Sequence, residues 1–331
     1  MTFSYLKRIT QRRLSVLGLA LGLVACQTVP STAPSSPVGV APPAVKPSET
    51  PPAVPAKPAD GVASLPAKPV RPPRIGLALG GGAARGFAHI GVIQVLEEAG
   101  IRPDLVVGTS AGSLVAALYA SGKSGSELAS LAQSMDEGAI TDWSFPGRGL
   151  IRGDALARYV REQTAGRTIE QMRLPLGIVA TDLDNGLPIL FQRGDTGAAV
   201  RASSAVPAVF QPVRIGNREY VDGGLASPVP VRFARQMGAE VVIAVDISSP
   251  PDGAPTGDVF KMLLQTFSIM GKSINQFELK DADVVLRPRL QGVGSADFAA
   301  RSRAIALGRE AAQAVLAEIR SKIAVGLRAS P

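Results

Sequence analysis

Histidine and cysteine each occur once in the 331 residues, as His89 and Cys26, tryptophan occurs once, and aromatic side chains make up 5% of the chain. A lone thiol forms no internal disulfide. No dense Lys/Arg run with interleaved aromatics is present, nor a zinc or helix-turn-helix pattern, so nucleic acid is not an expected partner. The apolar run at residues 14–25 is too short to hold the chain across a bilayer. With a single imidazole, any hydrolytic chemistry must either use His89 or do without histidine.

What is present begins with that short apolar run. Lys7, Arg8, Arg12 and Arg13 precede it, so residues 1–25 read as a signal peptide. The segment ends in Leu23-Val24-Ala25-Cys26, which resembles the bacterial lipobox, in which the cysteine is lipidated and becomes the first mature residue. Several acyl chains on Cys26 would anchor the mature chain stably to a membrane without a spanning helix. Gln27 stands where an aspartate tends to retain Gram-negative lipoproteins at the inner membrane, so the expected location is the bacterial envelope, at the outer membrane in a Gram-negative host. Losing the leader removes four cations and no acid and takes the formal charge from +8 to +4, which supports at most a modest attraction to anionic lipid. The segment 26–73 comprises Cys26 and a linker holding 14 of the 27 prolines, with neither helical nor strand periodicity, and reads as a disordered, polyproline-biased tether.

Residues 74–331 change character, alternating strand-like and helical stretches over 258 residues, enough for one large α/β domain. Its first unit is an apolar strand at 75–79, the loop GGGAARG at 80–86, and a helical pattern at 87–98 closed by Gly100. Such a loop presents backbone N–H groups to an anion. A dinucleotide fingerprint fits in neither register, since the sixth position from Gly80 is Arg85 and the third from Gly81 is Ala83. No Gly-Lys-Ser/Thr follows, which excludes a P-loop. The remaining reading is an oxyanion hole. Next comes VVGTSAGSLVAAL at 106–118, a strand, a sharp turn bearing Ser110, and a helix. In a nucleophile elbow the neighbouring chain passes so close that the flanking positions must be glycine, here Gly108 and Gly112.

A Ser, acid, His triad in α/β-hydrolase order cannot be built, because His89 precedes Ser110 and no histidine follows it. His89, beside Phe87 and Ile90, reads as structural, leaving a carboxylate or lysine as the base. Asp222 is placed best: residues 213–215 and 218–221 read as a hairpin about Gly216-Asn217, and Asp222-Gly223-Gly224 ends its second strand. Asp182 and Asp246, each at a strand end, compete with it.

The ordered set of Gly80, Gly81, Gly82, Arg85 and Gly86, then Gly108-Thr109-Ser110-Ala111-Gly112, then Asp222-Gly223-Gly224 resembles the patatin-like phospholipase family, over core motifs spanning 75–246. The resemblance implies a three-layer α/β/α fold with a mainly parallel sheet. It also implies hydrolysis of lipid acyl esters such as phospholipids or lysophospholipids, without metal or cofactor. Ser110 would be the nucleophile and Asp222 its proton acceptor. The loop of Gly81, Gly82, Ala83 and Arg85 would form the oxyanion hole, with Arg85 supporting the loop or approaching a lipid phosphate. The family's usual pattern has glycine where this chain has Ala83, which matters if that position needs a positive φ. A noncatalytic envelope lipoprotein that binds or carries acyl chains in the same pocket is the alternative. Elsewhere, helices are expected at 124–135, 153–164, 257–280 and 297–324, and strands at 176–181, 187–192 and 283–287, with Asp184-Asn185-Gly186 as a turn. The aromatics of Trp143-Ser144-Phe145-Pro146 are expected to fill the core.

Overall fold

The computed structural model describes residues 71–136, 138, 142, 149–248 and 259–329; the leader, Cys26, the tether up to residue 70 and the loop at 143–146 lie outside the described residues, while Arg71, at the expected end of the tether, is ion-paired with Glu240. The chain opens with β1 (Ile75–Leu79), a glycine loop, and α1 (Phe87–Glu98), followed by β2 (Leu105–Thr109) and α2 (Ala111–Ala120). A capping box between Ser124 and Glu127 starts α3 (Gly125–Ser134). The short β3 (Gly149–Ile151), α4 (Asp154–Gln163), β4 (Leu176–Asp182), β5 (Pro188–Phe191) and α5 (Thr196–Ser203) come next. The expected hairpin follows the short β6 (Ala208–Phe210) and consists of β7 (Val213–Ile215) and β8 (Arg218–Asp222). The remainder is α6 (Val231–Gln236), β9 (Val241–Val245), α7 (Val259–Glu278), β10 (Val284–Leu286) and α8 (Arg301–Ala329).

These elements build a three-layer α/β/α domain. The central sheet runs β10-β9-β1-β2-β4-β8-β7, and its first five strands are parallel. Strands of such a sheet are covered on both faces, which is why β1 and β9, and β2 up to Thr109, are apolar runs. Alternation along β1 divides the core. Leu77 and Leu79, with Val106, Ile178 and Ile243, pack under α1, α2, α3 and α8. Ala78, with Val107, Val179, Val242 and Ala244, packs on the other face against Val231, Phe233 and Ala234 of α6 and against Leu279.

One detail of register places the site. β2 pairs with residues 176–179 of β4, and β8 with residues 180–182, while β5 pairs with 178–181. Because β5 overlaps both, it must occupy the opposite edge, so β2 and β8 meet end to end along one edge of β4. Thr109 lies opposite Val179 and Asp222 opposite Ala180, adjacent residues of a single strand.

Candidate active site

The junction of β2 and β8 brings Ser110 to Asp222. Ser110 leaves β2 with φ 53° and ψ −125°, a strained conformation for a residue with a Cβ, and caps the N-terminus of α2. Its flanks explain how the strain is held. A Cβ on Gly108 would come within 2.3 Å of the Gly112 carbonyl oxygen, and one on Gly112 within 2.2 Å of the Leu79 carbonyl oxygen, so only glycine lets β1, β2 and α2 close around the turn. Three hydrogen bonds fix the serine backbone. Its N–H donates to Ser203 Oγ at 2.8 Å, Ser203 Oγ donates to the Val179 carbonyl at 2.6 Å, and Ser113 Oγ donates to the Ser110 carbonyl at 2.6 Å.

The Ser110 hydroxyl donates to Asp222 Oδ2 at 2.7 Å. The other carboxylate oxygen accepts the Gly224 N–H at 2.7 Å, and Thr181 Oγ1 donates to the Asp222 backbone carbonyl. Asp222 is only 6% exposed. Burial disfavours its charge and pushes its pKa up to about 6, against the opposing pull of the bonds from Ser110 and Gly224. At neutral pH it is therefore an ionised base of raised basicity, touching the hydroxyl it would deprotonate.

The glycine loop lies against the elbow: a Cβ on Gly81 would stand 3.1 Å from that of Ser110. Its amides divide into two groups. The N–H of Gly81 is taken by the Pro228 carbonyl, that of Ala84 by Ser295, and that of Arg85 by Gly82. Those of Gly82 and Ala83 have no acceptor among the described residues. Of the four loop residues expected to form the hole, Gly82 and Ala83 thus have amides to offer, while Gly81 and Arg85 shape the loop. Ala83 adopts φ 50°, so the position does require a left-handed backbone, and alanine holds it with its N–H uncommitted. Arg85 Nε donates to the Val293 carbonyl at 3.0 Å, which ties the loop to the segment before α8.

His89 is fully buried in α1, with Nε2 2.8 Å from the Gly80 carbonyl. Desolvation lowers its pKa to about 4, so it is neutral, and it holds the start of the loop without contacting the hydroxyl. The competing acids are occupied elsewhere. Asp182 is ion-paired with Arg218, which holds its carboxyl below the usual range, and it accepts the Asp184 N–H. Asp246 accepts both the N–H and the hydroxyl of Ser248 and faces Arg287 at 3.5 Å.

An open cleft of about 440 Å³ runs past Gly81, Gly82, Ala83 and Asp222, walled by Val206, Pro207, Val209 and Phe210 on one side and by Leu264, Phe267 and Gly271 of α7 on the other. Beyond Ala83, a separate apolar slot of about 70 Å³ lies between α1, α2 and α3, lined by Phe87, Leu114, Leu128 and Phe298 among others. Sequence reasoning passed over Ser203 and the cleft walls at 206–210 and 264–271. A helix ending in Ser-Ser followed by Ala-Val-Pro was their only local signal.

Residues 77–235 match the family model described as patatin-like phospholipase. Over that span the chain is similar to the patatin-like phospholipase family. An uncharacterised NTE family protein of Mycobacterium tuberculosis is 39% identical over 184 residues, covering 55% of this chain and 51% of that protein. Patatin-like phospholipase domain-containing protein 6 of Mus musculus is 36% identical over 183 residues, covering 53% of this chain and 14% of that one. The chain thus spans about half the length, or less, of these curated relatives. Among solved structures, VipD from Legionella pneumophila aligns over 76% of this chain and 67% of its own with a TM-score of 0.51 and 15% sequence identity, a likeness of fold. All three sequence motifs lie in or beside the matched span, and the patatin-like fold sets Gly82, Ser110 and Asp222 at the carboxyl ends of β1, β2 and the adjoining β8.

Proposed function

We propose that the patatin-like domain is a serine acyl hydrolase acting on the acyl esters of phospholipids or lysophospholipids through Ser110 and Asp222. The observation that carries this reading is the 2.7 Å hydrogen bond from the Ser110 hydroxyl to a buried carboxylate of raised pKa, at a strained elbow. The family's description as patatin-like phospholipase supports the lipid ester as substrate.

In the proposed reaction, Asp222 takes the Ser110 proton as Oγ attacks the ester carbonyl carbon. The oxyanion formed faces the Gly82 and Ala83 amides and the positive end of α2. Collapse breaks the bond to the alcohol oxygen, to which Asp222 returns the proton, and leaves an acyl ester on Ser110. Water, deprotonated by Asp222, attacks that ester; Ser110 recovers its proton and the fatty acid leaves. The apolar slot beyond Ala83 and the apolar walls of the cleft suit an acyl chain.

A fluorophosphonate probe tests the reading. Labelling of the intact protein that is absent in Ser110→Ala is expected, together with fatty-acid release from phospholipid micelles. An unlabelled protein beside a reacting control hydrolase would favour the alternative, an acyl-chain carrier. A membrane anchor at Cys26 is the matching proposal for location, and Cys26→Ser should abolish metabolic acyl labelling and membrane fractionation.

A further inference from the structure

A second cavity, also of about 440 Å³, adjoins the cleft and differs from it in chemistry. Its lining includes Lys272, Arg287 and Arg289, the amide side chains of Asn275, Gln276 and Gln291, and one acid, Asp246. That acid is already engaged with Arg287 and Ser248. Lys272 and Arg289 have no carboxylate partner among the described residues. Asn275 is only 4% exposed, and neither its Oδ1 nor its Nδ2 has a hydrogen-bond partner. A buried amide left unpaired is costly, and a ligand oxygen reaching it from the cavity would accept from its Nδ2.

The two cavities are joined by position. Ser248 and Lys272 line both. Helix α7 runs along the pair: Leu264, Phe267 and Gly271 face the cleft, and Lys272, Asn275 and Gln276 face the polar cavity. One helix thus presents an apolar wall that turns, within a single residue step at Gly271-Lys272, into a cationic and amide-lined one. That sequence of surfaces matches an amphiphile whose ester sits at Ser110, with a hydrocarbon chain along the apolar wall and an anionic oxygen cluster carried on the alcohol side of the ester into the polar cavity.

Resting on the proposed hydrolase reading, we infer that this cavity is a phosphate subsite that receives the phosphodiester of a glycerophospholipid while its acyl ester is presented to Ser110. Phosphate is favoured over carboxylate because several guanidinium, ammonium and amide donors in one cavity suit an oxyanion with several acceptor oxygens. The fatty-acid carboxylate, moreover, is generated at Ser110 and not here. Arg85, whose Nε is tied to Val293, lines the cleft and not this cavity.

The test uses the full-length protein and two substrates with the same acyl chain in the same uncharged detergent micelle, a zwitterionic phospholipid and an uncharged diacylglycerol. For Lys272→Gln, Arg289→Gln and the near-isosteric Asn275→Leu, the ratio of kcat/KM on phospholipid to that on diacylglycerol should fall about tenfold or more, chiefly through KM. Lys280→Gln removes a charge from the turn just after α7, outside the cavity, and should leave the ratio unaltered. Equal losses on both substrates, no loss on either, or an equal fall with Lys280→Gln would overturn the proposal; the last would point to diffuse attraction to a surface. Inorganic phosphate and glycerol 3-phosphate separate the sources. Competitive inhibition of phospholipid turnover by both, weakened in Arg289→Gln, supports the head-group site, whereas phosphate binding with an unchanged substrate ratio would mean a free-phosphate site and overturn it. Failure of the hydrolase reading would show separately, as absent fluorophosphonate labelling of wild type. Calorimetric binding of glycerol 3-phosphate to wild type and Arg289→Gln would then still decide the cavity, absence of binding overturning it.

Discussion

Ser203 holds Ser110 in place from behind: its hydroxyl accepts the Ser110 N–H at 2.8 Å and donates to the Val179 carbonyl at 2.6 Å. The first bond satisfies an amide that the strained turn withdraws from the sheet, and the second locks the hydroxyl rotor. Ser203→Ala should leave the Ser110 amide unpaired, at a cost of about 1–3 kcal/mol. Misplacement of the attacking oxygen should lower kcat about tenfold or more with KM little changed, as read by ester turnover beside a denaturation curve. Ser203→Thr, which keeps the hydroxyl, should recover most of the turnover. Undiminished kcat in Ser203→Ala would show that the glycines alone fix the elbow.

Asp222 must be ionised to accept the Ser110 proton, so its raised pKa sets an acid limb. On an uncharged ester, kcat/KM should fall with a midpoint of about pH 6, losing close to tenfold per unit below it. The same shift has a stability consequence of opposite sense. Because the folded-state pKa lies above the unfolded value of 3.8, the buried charge costs nothing below about pH 4, its cost grows between pH 4 and 6, and it is complete above about 6. Asp222→Asn should therefore be nearly inactive yet more stable than wild type at pH 7, by on the order of 2–3 kcal/mol, with the gain vanishing at pH 4. Combining it with Ser110→Ala should lower turnover little further, since the pair acts as one unit. A pH profile flat down to 4 would contradict this account.

His89→Ala should cost stability and spare chemistry. The substitution removes the partner of the buried Gly80 carbonyl and leaves a void under the loop, a loss of about 2–4 kcal/mol. Turnover by the folded fraction should stay within a few-fold of wild type. Loss of activity with an unchanged melting temperature would reinstate the imidazole as a participant.

Ala83 stores strain at φ 50°, where an L-residue pays about 1 kcal/mol relative to glycine. Ala83→Gly should be neutral to about 1 kcal/mol stabilising and retain turnover, while Ala83→Val, whose branched Cβ tolerates this region worst, should destabilise and slow turnover. Chemical denaturation midpoints and ester turnover, measured side by side, decide it. A clear destabilisation by glycine would mean that the alanine methyl packs favourably.

Much of this arrangement was legible in the chain. The apolar runs of β1, β2, β4 and β9, the hairpin at Gly216-Asn217 and the flanking glycines of Ser110 have strong local causes, and all appear at their expected places. Small differences remain at ends, such as β5, which forms over Pro188–Phe191 rather than 187–192, and α8, which runs on to Ala329 beyond the expected 324. What stayed hidden depends on contacts distant in sequence. The helices α5 and α6 are short and carry little periodicity, and the role of Ser203 exists only because α5 lies over β4 and β8, beside the end of β2. The hairpin and the two glycines after it put Asp222 ahead of Asp182 and Asp246 in the sequence but left both as competitors. The end-to-end register on β4 separates them, along with Arg218 and Arg287, which engage the rivals.

That register also governs when in the life of the polypeptide the chemistry can begin. Ser110 and Asp222 are 112 positions apart in the chain, and each arrives on its own strand at a shared third one. No hairpin or helix pair assembles them, and such non-local pairing forms late and slowly. A nascent or unfolded polypeptide, whatever lipid surrounds it, carries a serine with an ordinary hydroxyl and no base beside it. Hydrolytic power would switch on only with the cooperative closing of the sheet, so the cell that makes this protein would be shielded from it for as long as the chain is kept unfolded.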